Sequence, residues 1–367
     1  MILRRLRLRN FRNYESQQFY FSPNINLICG GNAQGKTNLL EAIYLISCGR
    51  SFRTSHLNEM IRLGSDHFFI EAEILKDNIS QIIKIYYSTK EKKIQHNATV
   101  LPSFVNLLGL LPSVVYTPED NQLINAAPSY RRRFLNLHLA QYDPLYVYHL
   151  SRYYKSLKQK NHLLKMKKNE SHFTVWNQVL LKSGVYLTLS RKKALQQLLK
   201  KMIEYHYHLT GKSETFSIEY LSPIIKGNDL TKVPEIFKTL LSQNFAKEQK
   251  AGFSLFGPHR DDFTLQIDDK NAKIFASEGQ KQTLSYALKL AEWSRLCYYT
   301  SEKAIMLIDD FGVHLDQNRK TLMKNTLRRF AQVFITTPDM REFENVRSVN
   351  YEIDQGKASL LSILNTK

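Results

Sequence analysis
The chain has 367 residues, 43% hydrophobic and 23% charged, the balance of a folded globular protein with room for one large domain carrying an insertion, or for two domains. No apolar run approaches the roughly 18–20 residues of a membrane span, and Met1-Ile2-Leu3-Arg4-Arg5 reads as a strand rather than a secretory signal. The three cysteines, Cys29, Cys48 and Cys297, are scattered without metal-ligand spacing, which suits a reducing cytoplasm and argues against a disulfide framework.

In chain order, the first third reads as strands. Ile2, Leu6 and Leu8 interleave with arginines, and Phe68–Ile70 and Ile82–Tyr87 are β-rich. From about Tyr130 to Lys201 the chain is poor in Gly and Pro and shows helical spacing, as in Leu187, Arg191, Leu195 and Leu198. Short apolar strands return at Ala304–Ile308 and Gln332–Ile335. There are no internal repeats, and heptads are not sustained long enough for a coiled-coil arm.

The net charge of +19 is unevenly spread: +4 over residues 1–120, +14 over 121–250 and +1 over 251–367. A concentrated positive field attracts polyanions, nucleic acid first and anionic membrane second; the plainer alternative is a solubilising helical surface. The organisation expected is an α/β domain formed by residues 1–120 and 251–367, split by a basic, mainly helical insertion at 121–250.

Gly30-Gly31-Asn32-Ala33-Gln34-Gly35-Lys36-Thr37 fits the phosphate-loop pattern G-x-x-x-x-G-K-[ST] at every fixed position. The apolar run Ile25–Cys29 before it and the helical spacing of Leu39, Ala42, Ile43 and Ile46 after it give the strand–loop–helix context the pattern requires. Glycines let backbone N–H groups converge on phosphate oxygens. Lys36 is expected to neutralise the β- and γ-phosphates of ATP, and the Thr37 hydroxyl to hold Mg²⁺. The strand Ala304–Ile308 runs into Asp309-Asp310. Asp309 is read as holding the metal through water and Asp310 as orienting or deprotonating the attacking water. The separation of 273 positions from Lys36 to Asp309 implies an inserted domain. Ser277-Glu278-Gly279-Gln280 opens a helix about thirty residues before the acidic strand and looks like the signature motif of ABC-type ATPases; a plain Ser N-cap is the alternative.

Further blocks are hard to explain one residue at a time. Leu8-Arg9-Asn10-Phe11-Arg12-Asn13-Tyr14, Asn38–Tyr44, Gly49-Arg50-Ser51-Phe52-Arg53-Thr54, Tyr116–Asp120, Pro128–Leu135 and Gly257–Phe263 together resemble the RecF family, from residue 3 to about residue 340. The resemblance implies a P-loop ABC-type ATPase head like those of SMC and Rad50 proteins, with two lobes and no long coiled coil. It implies an ATP-dependent homodimer with nucleotides between subunits, slow hydrolysis, and binding to double-stranded and gapped DNA. It also implies work with RecO and RecR, and through them RecA, in the cytoplasm near the nucleoid and not at a membrane. By residue, it implies nucleotide contacts from Gly30 to Asn38 and proximity of Arg12. Across the dimer it implies contacts from Ser277, Gly279, Gln280 and Asp316.

Arg131, Arg132 and Arg133, at the start of the basic insertion, are read as DNA contacts, with a solvated helix face as the alternative. His259 is read as a structural contact in a Gly-Pro turn, and Tyr153 as helical core. The chain departs from the family pattern at Val313-His314-Leu315-Asp316, where Ser-Glu-Leu-Asp is usual, and at Glu278, where Gln is common. No glutamine loop is evident, and Glu119 or Asp120 is the substitute considered. A non-hydrolysing, ATP-gated DNA-binding module is the alternative function; a transporter ATPase subunit does not fit the basic insertion.

Overall fold
The computed structural model describes residues 1–211, 214–227, 229–312, 317–343 and 346–363. The chain forms two compact units. The first comprises 1–120, 205–211 and 289–367, and the second 121–204 and 212–288.

The first unit holds two six-stranded sheets. One is antiparallel, in the order Tyr14–Tyr20, Ile2–Phe11, His67–Lys76, Ile79–Ser88, Lys92–His96, Thr99–Leu101. Period-two burial is clean in His67–Lys76, where Phe68, Ile70, Ala72 and Ile74 face the core. In Ile2–Phe11 a register shift between Leu3 and Arg5 lets Leu3 and Leu6 both point inward, although an unbroken alternation would put them on opposite faces.

The other sheet runs Lys357–Ile363, Ser348–Asp354, Ile25–Cys29, Val333–Thr337, Ile305–Ile308, Ser113–Tyr116. The last five strands are mutually parallel, and the first closes an antiparallel hairpin. The central strands are buried along their whole length, as expected of a parallel sheet covered on both faces. Helix Lys36–Cys48 is apolar on nearly every side, with Leu39, Leu40, Ala42, Ile43, Leu45 and Ile46 fully buried. It shares one core with residues of both sheets, among them Leu6, Phe68, Ile70, Leu307, Phe334 and Tyr351.

The second unit is mainly helical. Its helices include Pro128–Ala140, Pro144–Lys165, most of Thr174–Thr210, Val233–Gln243 and Phe245–Ala251. Tyr146, Tyr153, Leu180, Leu187, Ile224 and Phe237 form its core. The unit continues past the boundary expected at residue 250, because Asp262–Ile267 pairs antiparallel with Phe216–Leu221. That pairing ties the Gly257–Phe263 segment to the helical unit. Asp261 is fully buried there, accepting hydrogen bonds from Thr188 (3.0 Å), Ser222 (2.6 Å), Arg191 (3.3 Å) and Tyr220. Among the described residues, no helix is long and apolar enough to cross a membrane.

Candidate nucleotide site
The loop Gly30–Thr37 joins the central strand Ile25–Cys29 to helix Lys36–Cys48. Two glycines are required by its path. Gly30 has φ 138°, and a Cβ there would lie 2.2 Å from the Ile353 carbonyl oxygen; Gly35 has φ 123°, and its Cβ would meet Asn13 Nδ2 at 2.6 Å. The helix has no side-chain cap at its N-terminus. Its first N–H groups, with the positive end of its dipole, therefore face the loop, which suits an anion. Lys36 is buried and donates to the carbonyl oxygens of Gly30 (2.9 Å) and Gly31 (2.8 Å).

The loop is held from outside. Asn13 Nδ2 donates to Gln34 O (2.6 Å), Tyr14 Oη to Gly35 O (2.9 Å), and Asn38 Nδ2 to Asn13 Oδ1 (2.9 Å). From the last hairpin, the N–H of Gln355 donates to Gln34 Oε1 (2.6 Å) and that of Gly356 to Gln34 O (3.1 Å). The Leu8–Tyr14 block thus has a physical role that its sequence did not disclose: it clamps the loop.

Parallel pairing sets Val333–Thr337 between the loop strand and the acidic strand, so the loop, Thr336 and Asp309-Asp310 meet at the C-terminal ends of three strands. Thr37 Oγ1 donates to Asp309 Oδ1 at 3.0 Å, and Thr336 Oγ1 donates to the same oxygen at 2.7 Å. The Thr336 hydroxyl in turn accepts from the Asp310 N–H at 2.7 Å. Burial pushes the Asp309 carboxyl up to about 6; the Thr336 hydrogen bond pulls the other way, and the charge of Asp310 adds to the rise. Asn32, Ala33, Gly35 to Asn38, Arg53, Asp310 and Pro338 line a cavity of about 530 Å³, within the range of small-ligand sites.

The donor set fits Mg²⁺. A hydroxyl and a buried carboxylate stand side by side, both hard oxygen ligands, and Mg²⁺ is commonly bound by one or two carboxylates together with substrate phosphates. No cluster of three or more His, Cys, Asp or Glu able to hold a metal occurs among the described residues.

Arg12 is not among the residues that line this cavity. Its guanidinium makes a two-point contact with the buried Glu41 carboxylate (2.8 and 2.7 Å) and donates to Glu59 O (2.6 Å). Glu41 lies on the loop helix, so Arg12 positions that helix. The arginine that does line the cavity is Arg53, which donates to Asn38 Oδ1 at 2.8 Å. Arg53 falls within the family block Gly49–Thr54, and its spacing alone assigns it no role. Asp120, considered for the glutamine-loop position, is buried in an ion pair with Lys289 (3.3 Å).

In the second unit, Ser277 and Gln280 form a reciprocal capping box on helix Glu278–Thr300. Gln280 N–H donates to Ser277 Oγ (3.2 Å), and Ser277 N–H to Gln280 Oε1 (2.9 Å). Gly279 lies between them. Glu278 is met by Lys281 at 3.0 Å, which offsets its charge at this terminus. Asp316, like His314, lies outside the described residues.

Arg131 is buried, with Nε and Nη2 on the Asp262 carboxylate at 2.6 and 2.9 Å and Nη1 on Ala126 O at 2.8 Å. The expectation that it contacts DNA is corrected, because its donors are engaged inside the unit. Arg132 donates to Asp261 O (2.9 Å), and Arg133 is half-buried. His259 is structural. Nε2 donates to Ser254 O (3.0 Å), which leaves Nδ1 to accept from Tyr153 Oη (2.7 Å).

A family model described as RecF/RecN/SMC N terminal domain matches residues 2–359. A protein of Protochlamydia amoebophila (strain UWE25) named DNA replication and repair protein RecF is 41% identical over 347 residues, 94% of this chain and 96% of that relative. The chain belongs to the RecF family. A second RecF, from Chlamydia caviae, is 37% identical over 98% of each chain. The solved structure of the recombination mediator protein RecF-ATP in the RecFOR pathway superposes with a TM-score of 0.91 at 32% identity, covering 98% of this chain and 97% of that one. An Smc head bound to the C-winged helix domain of ScpA matches with a TM-score of 0.57 at 13% identity, a likeness of fold alone. The RecF fold seen here is therefore an α/β ABC-type ATPase head carrying a mainly helical second unit.

Proposed function
We propose that this chain is an ATP-dependent, DNA-binding recombination mediator whose nucleotide state switches a homodimer on double-stranded and gapped DNA. The observation that carries the reading is the uncapped N-terminus of helix Lys36–Cys48 opening, with Lys36, Thr37 and Asp310, onto a nucleotide-sized cavity. Backbone N–H groups from Gly31 to Asn38 cradle the phosphates, and Lys36 exchanges the Gly30 and Gly31 carbonyls for phosphate oxygens. Mg²⁺, when bound by Thr37 and Asp309, neutralises charge on the phosphates. Asp310 takes a proton from the attacking water.

Ser277, Gly279 and Gln280 of each subunit meet the γ-phosphate held by the other, with Asp316 as a further contact. Hydrolysis is slow and releases DNA, and the chain works with RecO and RecR to assist RecA. Support comes from the RecF relatives and from the ATP-bound RecF structure. A second reading, an ATP-gated DNA-binding module without hydrolysis, draws on the departures from the family pattern at Glu278 and His314.

The test is Asp310→Asn, assayed for ATP binding, for phosphate release with duplex DNA, and for sedimentation. ATP affinity stays at the wild-type level, turnover falls about 10²–10⁴-fold, and the ATP-bound dimer accumulates. Normal turnover in the variant places the base elsewhere. A wild-type chain that binds DNA only with ATP yet releases no phosphate supports the second reading.

A further inference from the structure
We infer that the exposed face of helix Pro144–Lys165, carrying Arg152, Lys155, Lys158 and Lys165, is the surface that follows the phosphate backbone of duplex DNA. The inference rests on the DNA-binding part of the function proposed above and assigns it a place. The helix divides cleanly. Tyr146, His149, Tyr153, Ser156, Leu157, Lys160 and Leu164 are buried, while Tyr148, Arg152, Lys155, Lys158, His162 and Lys165 are exposed. Lys160, by sequence a member of the same basic run, turns inward to Glu248 at 2.6 Å and is not available.

No acidic residue occurs from Pro144 to Asn169, so nothing on this helix neutralises the exposed cations. Asp143 caps the helix start, accepting from Tyr146 N–H (3.0 Å) and Tyr186 Oη (2.9 Å). Arg152, Lys155, Lys158 and Lys165 form no ion pair among the described residues, in contrast to Arg131. Lys167 and Lys168 extend the positive field beyond the helix end.

From Tyr148 to Lys165 the face is about 26 Å long at 1.5 Å per residue. Duplex DNA presents one charge per roughly 1.7 Å of axis over its two strands, so a basic edge of this length reaches phosphates wherever a backbone crosses it. Lysine ammonium groups bind phosphate as point charges and do not read bases. Arg152 is steadied, its guanidinium 5.3 Å from the Tyr148 ring centroid and donating to Tyr148 Oη at 2.6 Å. Fixing that side chain beforehand lowers the entropy lost on binding.

The experiment is a salt titration of duplex affinity by fluorescence anisotropy, with ATP present and the full chain. It compares wild type, the triple variant Lys155→Gln/Lys158→Gln/Lys165→Gln, and a control of equal charge change, Lys90→Gln/Lys92→Gln/Lys93→Gln, on exposed lysines of the first unit. The helix variant has a log affinity against log salt slope shallower by about 2.7, at about 0.9 per lost phosphate contact, and the control keeps the wild-type slope. An unchanged slope in the helix variant, or an equal loss in the control, overturns the assignment. ATP binding is measured on the same samples. A wild-type chain that binds ATP but no duplex removes the DNA-binding reading itself. Retention on phosphatidylglycerol vesicles without duplex binding overturns the inference in favour of a membrane.

Discussion

Thr336→Val is the sharpest probe of how the acidic pair is set. Valine keeps the shape of the side chain and removes only the hydroxyl, and Thr336 is fully buried, so solvent does not replace the lost group. Two 2.7 Å hydrogen bonds disappear: the one accepted from Asp310 N–H and the one donated to Asp309 Oδ1. Asp310 is half-buried at the cavity, so losing its N–H bond costs the net value of about 0.5–1.5 kcal/mol, and a bond to a charged group contributes about 1.5–3 kcal/mol. Asp309 keeps the hydroxyl of Thr37 as a donor, which limits the second loss. Asp310 has φ 48°, a conformation uncommon outside glycine, and the Thr336 bond helps hold it there. Released, its carboxylate aims less well at a water, and misplacement of about 1 Å can cost on the order of 100-fold in rate. The expected outcome is a kcat lower by about 10–100-fold, with ATP affinity within about threefold of wild type because Lys36 and the loop are untouched. Thr336→Ser, which keeps the hydroxyl, restores kcat. Single-turnover hydrolysis and equilibrium binding of a fluorescent ATP analogue read the two quantities separately. A kcat within twofold of wild type, or an affinity loss as large as the rate loss, refutes the reasoning.

Lys36→Ala removes a charge-assisted phosphate contact of about 1.5–3 kcal/mol and lowers ATP affinity at least about tenfold; equilibrium dialysis giving equal affinities sinks the phosphate-loop role. Arg131→Ala strands the Asp262 carboxylate in a largely buried site, costing about 3 kcal/mol, while the salt slope of DNA affinity stays unchanged; calorimetry with anisotropy checks both. His259 is held well below its usual value, at about 4, by burial first, so the folded protein prefers the neutral ring. Its contribution is complete above about pH 6.5 and is lost as pH falls toward 4, amounting to up to about 3 kcal/mol. Urea unfolding of His259→Gln between pH 7 and 4.5 should show a shallower pH dependence than wild type, and parallel curves remove His259 as the cause.

The nucleotide site was legible where its residues are adjacent in sequence. The phosphate loop and Asp309-Asp310 each carry their geometry in a short strand-plus-turn pattern, and parallel pairing through Val333–Thr337 brings them together. Arg53 was missed because nothing in its spacing announces that the chain returns to the cavity after the helix. Arg131 was misplaced because a formal charge looks the same whether it meets solvent or a buried carboxylate, and its partner Asp262 lies 131 residues away. The extent of the second unit was hidden likewise, since the pairing of Asp262 with Leu221 is a long-range contact with no local signal. The register shift between Leu3 and Arg5 is subtler, because a bulge breaks the alternation from which a strand is recognised.

The place of strand Ile25–Cys29 in its sheet bears on the order of events during synthesis. Its two neighbours are Val333–Thr337 and Ser348–Asp354, and the loop that follows it leans on Gln355 and Gly356. A ribosome adding about 5–20 residues per second needs on the order of tens of seconds to pass from the one to the others. Throughout that interval the apolar strand has neither lateral partner, and the glycine loop lacks the struts from Gln355 and Gly356. Local contacts cannot close this sheet early, so folding of the first unit waits on its most distant segments. A nascent chain stopped near residue 330 would carry the whole phosphate loop and present an unpaired β-edge instead of a nucleotide pocket, the kind of species on which chaperones and proteases act.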